Sequence, residues 1–441
     1  MQRFAPFDQG DTMSRDLDRR RLLLAMAGAF GAASLPNGLR AAMGPNDKFD
    51  LLIKGGDVLD PSSGLRGVRD IGIRNGVIEA VEASIPNERA LKVLGASGRL
   101  VTPGLIDLHA HTFPYGSAIG IPADELVPFQ GTTTAVSAGD AGANNLAAYR
   151  RFIMGSTRTR LYAFVHIANM GLTGFPVPEL YNIDFAQPEI AARALAENAE
   201  FVLGIKVRMS ENVIAQHGIE PLRRAIRACD MSGVKGAKVM CHIGGVQSVE
   251  LMSEILQALR PGDILTHCYS GAPNLAGRFT NIVQDGKLLP AALDAKKRGV
   301  RFDVGHGGGS FDYTVAEFAI AQGAPPDTLS SDMHVFSGNT PGMPFLTWVM
   351  SKFLNMGFSL EQVIAMATIN PARIIDRVPK LGTLAVGAPA DVTVLEVVEG
   401  PVEFVDTRNN KRPGKVHLRP ANTVRGGVPY GRPFSAPFSV N

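Results

Sequence analysis

Eight short, strand-like runs pace the middle of this chain: GLIDLHAH, TTTAVSAG, RLYAFVHIAN, FVLGIKVRM, GAKVMCHIG, DILTHCYS, VRFDVGHG and TLSSDMH. They recur at intervals of roughly 25–40 residues, and most intervals carry a helical pattern of apolar residues. GIEPLRRAIRAC, SVELMSEILQAL, LPAALDAKKRG and DYTVAEFAIAQG are examples. Strands alternating with helices at this spacing form βα units with right-handed crossovers, and therefore a parallel α/β sheet. Eight units point to a closed (β/α)8 TIM barrel rather than an open doubly wound sheet. The later SLEQVIAMATINPARII opens on a capping-box pattern, Ser359 and Gln362, and Pro371 interrupts it. That helix is expected to close the barrel.

The barrel leaves both ends of the 441 residues over. FDLLIKGGDVLD, PSSG and IGIRNGVIEAVE read as short strands with turns, and Asn75-Gly76 is a strong hairpin signal. LGTLAVGAPADVTVLEV and PVEFVDTRNNKRPGKVHLRPANTVRGG have the same texture. Residues 48–102 and 378–435 are therefore expected to form one small β-sandwich domain beside a barrel over 103–377. The first 45 residues read as an export signal. Asp18-Arg19-Arg20-Arg21-Leu22-Leu23 fits a twin-arginine pattern, followed by an apolar stretch to Leu35 and small residues at Ala41–Gly44. That places the mature protein in the periplasm or outside. An uncleaved anchor stays open on these residues, as does a start at Met13, which would leave the protein cytoplasmic. No later apolar run approaches the ~18 residues of a membrane helix, so no stable span is expected after signal removal. A formal charge of +3, without a Lys/Arg tract outside the extreme N-terminus, gives no footprint for nucleic acid. The three cysteines are too few for a disulfide framework and read as buried thiols.

Parallel barrels bring the C-terminal ends of distant strands to one mouth, and that is where the chemistry-bearing residues fall. His109 and His111 sit at i and i+2, so they share a face and can chelate one metal; two solvated or core-capping histidines are the alternative. Lys206 lies inside an apolar strand, where an unpaired cation is costly. It is either a rim lysine in a salt bridge or an amine that has taken up CO2 as a carbamate, able to bridge two metals. Arg208, at i+2, faces the same way as a fork for an anionic substrate group, or pairs structurally. His242 and His267 end consecutive strands and suit a second metal, whereas their neighbours Cys241 and Cys268 alternate into the barrel wall. Asp332 closes the eighth run as a metal ligand and proton acceptor, or as a helix N-cap. His306, before a glycine run that does not match a phosphate loop, is expected to touch substrate.

With His109-x-His111, Lys206, His242, His267 and Asp332 in that order, the chain resembles the amidohydrolase superfamily. GTTTAVSAGDAGANN, GIKVRMS, RPGDILTHCYSG, RGVRFDVGHGGGSF and FVDTRNNKRPGK are similar to its dihydroorotase-like amidohydrolase/deacetylase branch. The resemblance implies two zinc ions bridged by carboxylated Lys206 and hydroxide, with Asp332 as base. It also implies hydrolysis of an acylated small-molecule carboxylate, an N-acyl amino acid or an acetylated hydroxy acid. Assembly through the small β domain makes a homo-oligomer a further expectation. The export signal departs from the pattern of soluble relatives and bears on the substrate rather than on the chemistry. The alternatives are a cyclic amidase of the dihydroorotase or hydantoinase type and a non-catalytic binding protein on the same barrel.

Overall fold

The computed structural model describes residues 43–44, 46–271 and 281–430, so all of the signal segment but residues 43–44 lies outside the described residues. The chain divides into two units, Met1–Lys48 and Phe49–Asn441. Everything below concerns the second.

Seven strands of that unit form one parallel sheet in simple chain order. They are Leu105–Ala110, Thr132–Gly142, Arg160–His166, Val202–Arg208, Lys238–His242, Ile264–Thr266 and Arg301–Asp303. The first two are buried along their whole length, as strands covered on both faces must be. The eighth run is not a regular strand. Two single parallel bridges hold it, Thr328 to Asp303 and Met333 to Ala110. Backbone bonds fill in between: His306 N–H donates to Ser330 O, and Asp332 N–H to His109 O. The run thus spans the gap between the seventh and first strands and closes the barrel.

The helices expected between the strands form as Glu220–Met231, Val249–Ala258, Pro290–Arg298 and Tyr313–Ala321. Ser248 and Asp312 accept N–H bonds at two of their N-termini. The Ser359–Gln362 capping box forms. The segment it opens is two helices, Leu360–Met366 and Ile369–Ile375, rather than one. Pro371 has no N–H for the carbonyl of Ala367 and its ring crowds that carbonyl, so the chain breaks there. The displaced carbonyls are used: Ala367 O accepts from Ile106 N–H and Met366 O from Leu329 N–H, which seals the first and eighth strands.

The two ends meet in one eight-stranded sheet. Leu51–Asp60 pairs parallel to Leu100–Pro103, which pairs antiparallel to Val392–Val405. Ile53, Ile71, Ile78, Val392, Val394 and Val424 share a core separate from the barrel's. Asn75 and Gly76 turn the expected hairpin with φ of 52° and 74°. The ribbon of Val392–Val405 and Lys411–Arg425 is longer than this small core needs. Its outer half lies on the barrel helix Leu346–Asn355, where Ser351 Oγ accepts Leu418 N–H at 2.9 Å. All three cysteines are free and buried.

Candidate metal centre

His109 sits at the end of the first barrel strand and His111 just beyond it, with ring centroids 5.6 Å apart. Asp332 reaches both from the closing run: its Oδ1 lies 3.2 Å from His109 Nε2 and 3.1 Å from His111 Nε2. His267 follows the sixth strand, its ring 4.9 Å from that of His109 and 4.3 Å from that of His242. Lys206, on the fourth strand, places Nζ 3.2 Å from His109 Nε2. Four strands and the closing run thus bring six residues to one mouth.

Two of these residues hold strained backbone. His267 and Asp332 have φ of 61° and 49°, in the left-handed region that non-glycine residues avoid. Strain of this kind, of order 1–3 kcal/mol, persists where surrounding structure over-determines it and clusters at functional sites. His267 Nδ1 is pinned 2.6 Å from Gly305 O, and a Cβ on Gly307 would collide with Asp332.

His109, His267 and Asp332 each offer a ligand atom, all within 4.8 Å of one another. His267 Nε2 is buried and has no hydrogen-bond partner among the described residues. An orphaned imidazole nitrogen facing a carboxylate and a second imidazole fits a divalent cation, whose usual ligands are these atoms. Burial, with His109 and Lys206 adding to it, pushes His267 down to about 3, and burial with the adjacent His267 drives His242 well below its ordinary value. Both are therefore neutral, the form that ligates metal. Burial works against the His111 proton, but Asp140 and Asp332 carry it up to about 9. Burial would raise Asp332, yet His109, His111 and His267 hold it well below the carboxylate range.

A cavity of about 320 Å³ opens on this cluster. His111, Lys206, His242 and Asp332 line it, with Ile119, Leu172, Phe175 and Phe336 as apolar wall and Arg208 on its polar side. A second depression of about 480 Å³, between Pro114 and Pro122, has no histidine, cysteine or carboxylate in its lining. Arg208 is held by Glu179, with Nη1 3.2 and 3.1 Å from the two carboxylate oxygens. His306 is placed differently from the expectation of a substrate contact. It is fully buried behind the cavity, its Nε2 accepting from Lys352 Nζ at 2.7 Å and its Nδ1 2.8 Å from Gly307 O. With both nitrogens engaged and Phe311 stacked on its ring, it braces the seventh-strand loop.

Three residues that matter here carry no metal-site pattern in the sequence. Asp140 Oδ1 lies 2.9 Å from His111 Nδ1, while Thr112 N–H and Ser137 Oγ–H donate to its other oxygen at 2.9 and 2.7 Å. Glu179 lies 3.2 Å from His166 Nε2 as well as against Arg208. His334, two residues past Asp332, lines the cavity with its Nδ1 accepting Phe336 N–H at 3.2 Å. Asp140 could have been flagged, because a carboxylate inside a fully buried strand needs a partner.

A model of the amidohydrolase family matches residues 312–427. A deacetylase of Agrobacterium fabrum is 33% identical over 353 residues, covering 80% of this chain and 84% of the relative. The chain belongs to the amidohydrolase family. Two crystal structures of family members are similar over most of the chain. One, of an adenine deaminase, is 30% identical with a TM-score of 0.77, covering 87% of this chain and all of the other. The other, of a dihydroorotase, is 32% identical with a TM-score of 0.76, covering 86% and 97%. As an amidohydrolase, the protein is a hydrolase of carbon–nitrogen bonds acting on a small molecule, with a His–His–Asp group able to hold a divalent metal. Among the described residues, no helix is long and apolar enough to cross a membrane.

Proposed function

We propose that this amidohydrolase is a metal-dependent deacetylase that cleaves the amide or ester acyl bond of a small carboxylate, such as an N-acyl amino acid or an acetylated hydroxy acid. The supporting observation is the clustering of His109, His111, Lys206, His242, His267 and Asp332, four of which line one cavity that also carries Arg208. The deacetylase relative narrows the chemistry to acyl transfer to water.

His109, His111 and Asp332 would hold one ion, His242 and His267 a second, and nitrogen and oxygen donors in this mixture suit zinc. Bound there, the ions supply a Lewis acid and lower the pKa of water to about 7. Asp332 accepts the proton of the attacking water and returns it to the leaving group. Arg208, oriented by Glu179, binds the substrate carboxylate, and Ile119, Leu172, Phe175 and Phe336 exclude bulk water.

Lys206, if carboxylated, would help to hold the ions. Its Nζ contacts His109 Nε2 and Met240 Sδ but, among the described residues, no carboxylate oxygen within hydrogen-bond reach, and burial pushes the amine down to about 8. The neutral amine adds to CO2, forming an N–C bond and releasing one proton, which turns an awkward buried cation into an anionic ligand. Export by the twin-arginine route accompanies this reading, supported by Arg19-Arg20-Arg21 before Leu22-Leu23.

The similarity to a dihydroorotase favours one second reading, a cyclic amidase with the same metals. Metal-loaded mature protein assayed on N-acetyl amino acids, acetylated hydroxy acids, dihydroorotate and hydantoins separates the two. Acetate release is the expected result. Ring opening without acetate release would favour the cyclic amidase.

A further inference from the structure

Three histidines at the mouth turn their Nε2 atoms toward one another, so what holds each Nδ1 decides whether Nε2 is a lone pair or an N–H. His111 Nδ1 has the Asp140 carboxylate at 2.9 Å, and His267 Nδ1 has the Gly305 carbonyl at 2.6 Å. His109 Nδ1 lies 3.8 Å from Asp303 Oδ2, beyond hydrogen-bond reach. Thr266 Oγ1 fills that gap, 2.7 Å from His109 Nδ1 and 2.8 Å from Asp303 Oδ2. A threonine has one hydroxyl proton; it goes to the carboxylate, so the oxygen accepts the Nδ1–H of His109. Asp303 also accepts hydroxyls from Thr328 at 2.6 Å and Ser330 at 2.7 Å, both from the closing run. His109, Thr266 and Asp303 are all 0% exposed, so water cannot substitute for a missing link.

We propose that Thr266 is a positioning residue that relays the charge of Asp303 to His109, fixing the Nδ1–H tautomer and leaving Nε2 as a metal-facing lone pair. Gly305 is part of the same arrangement. A Cβ there would stand 2.5 Å from Thr266 Oγ1, 2.8 Å from His267 Nδ1 and 3.2 Å from His109 Nδ1. The supports form a graded series: a carboxylate for His111, a carboxylate through a hydroxyl for His109, a neutral carbonyl for His267. Ligand basicity follows the charge behind the ring, so the three imidazoles are unequal donors. The purpose assigned to the relay rests on the metal reading above, whereas its geometry does not.

The test uses the full chain with ¹⁵N-labelled histidine. In metal-free protein His109 is expected as Nδ1–H; Thr266→Val, equal in shape, should abolish that preference, and Thr266→Ser should retain it. Chelator competition then measures zinc. The valine variant should bind about 10–100-fold more weakly, with serine close to the parent. Asp303→Asn serves as the second variant, with the same weakening expected, should the valine protein not fold. The relay is overturned if His109 carries its proton on Nε2 in the parent, or if the valine or asparagine variant keeps both the tautomer and the zinc affinity of the parent. A parent with the Nδ1–H tautomer that takes up no zinc supports the relay and contradicts the metal reading.

Discussion

A lysine side chain 1% exposed at the middle of a barrel needs a reason. Structural lysines in such places are paired with carboxylates, and losing one costs several kcal/mol. Lys206 has a histidine and a thioether instead. Replacing it by methionine should therefore leave metal-free stability unchanged or raised, while metal content and turnover collapse. A large fall in thermal stability of the metal-free variant would mark Lys206 as structural. Asp332→Asn keeps shape and one donor oxygen, so metal should stay while kcat falls about 10²–10⁴-fold, the worth of a positioned base. Near-normal turnover in that variant would remove Asp332 from the base role. The six gathered residues could be picked out in the sequence because the histidines and Asp332 stand where apolar runs stop and Lys206 is a cation inside one. Thr266 was not, because a short polar residue within a strand looks the same whether it faces a histidine or a backbone carbonyl.

At the scale of elements, strand-like runs and helical patterns could be read because periodicity reports burial directly. TLSSDMH read as a strand, yet its residues are committed to holding others. Thr328 and Ser330 hydroxyls bind Asp303, and Ser331 N–H and Oγ–H bind Asp107. Those side-chain demands, with the left-handed Asp332, leave two isolated bridges in place of a ladder. The loop after the third strand carries its own test. Burial would raise Glu179, but Arg208 and then His166 hold it at about 2, against an ordinary 4.5. A carboxylate depressed by folding stabilises the fold fully above its unfolded pKa and loses that contribution as pH falls toward the folded value. Stability should therefore drop between about pH 4.5 and about pH 2. In Glu179→Gln that part of the acid dependence should vanish, with lower stability at neutral pH. Parallel pH–stability curves for parent and variant would contradict the assignment.

For the whole molecule, the two chain ends had matching β texture, but texture does not say that distant segments pair. The structure supplies the link: Val101 lies opposite Val394, Thr393 Oγ1 donates to Gly131 O at 2.6 Å, and Arg160 pairs with Asp391 at 2.9 Å across the seam. These contacts hold the small domain to the barrel end away from the cluster, while Asp406–Arg408 of its ribbon bond to the loops after the sixth and seventh strands. On the reading proposed above, the gathered side chains hold divalent ions that carry out acyl hydrolysis. The direct measurement is acetate release from N-acetyl amino acids and acetylated hydroxy acids, before and after chelation and after titration with zinc. The stripped protein should be inactive, and turnover should return in proportion to zinc bound. Full turnover in protein shown by elemental analysis to be metal-free would contradict it.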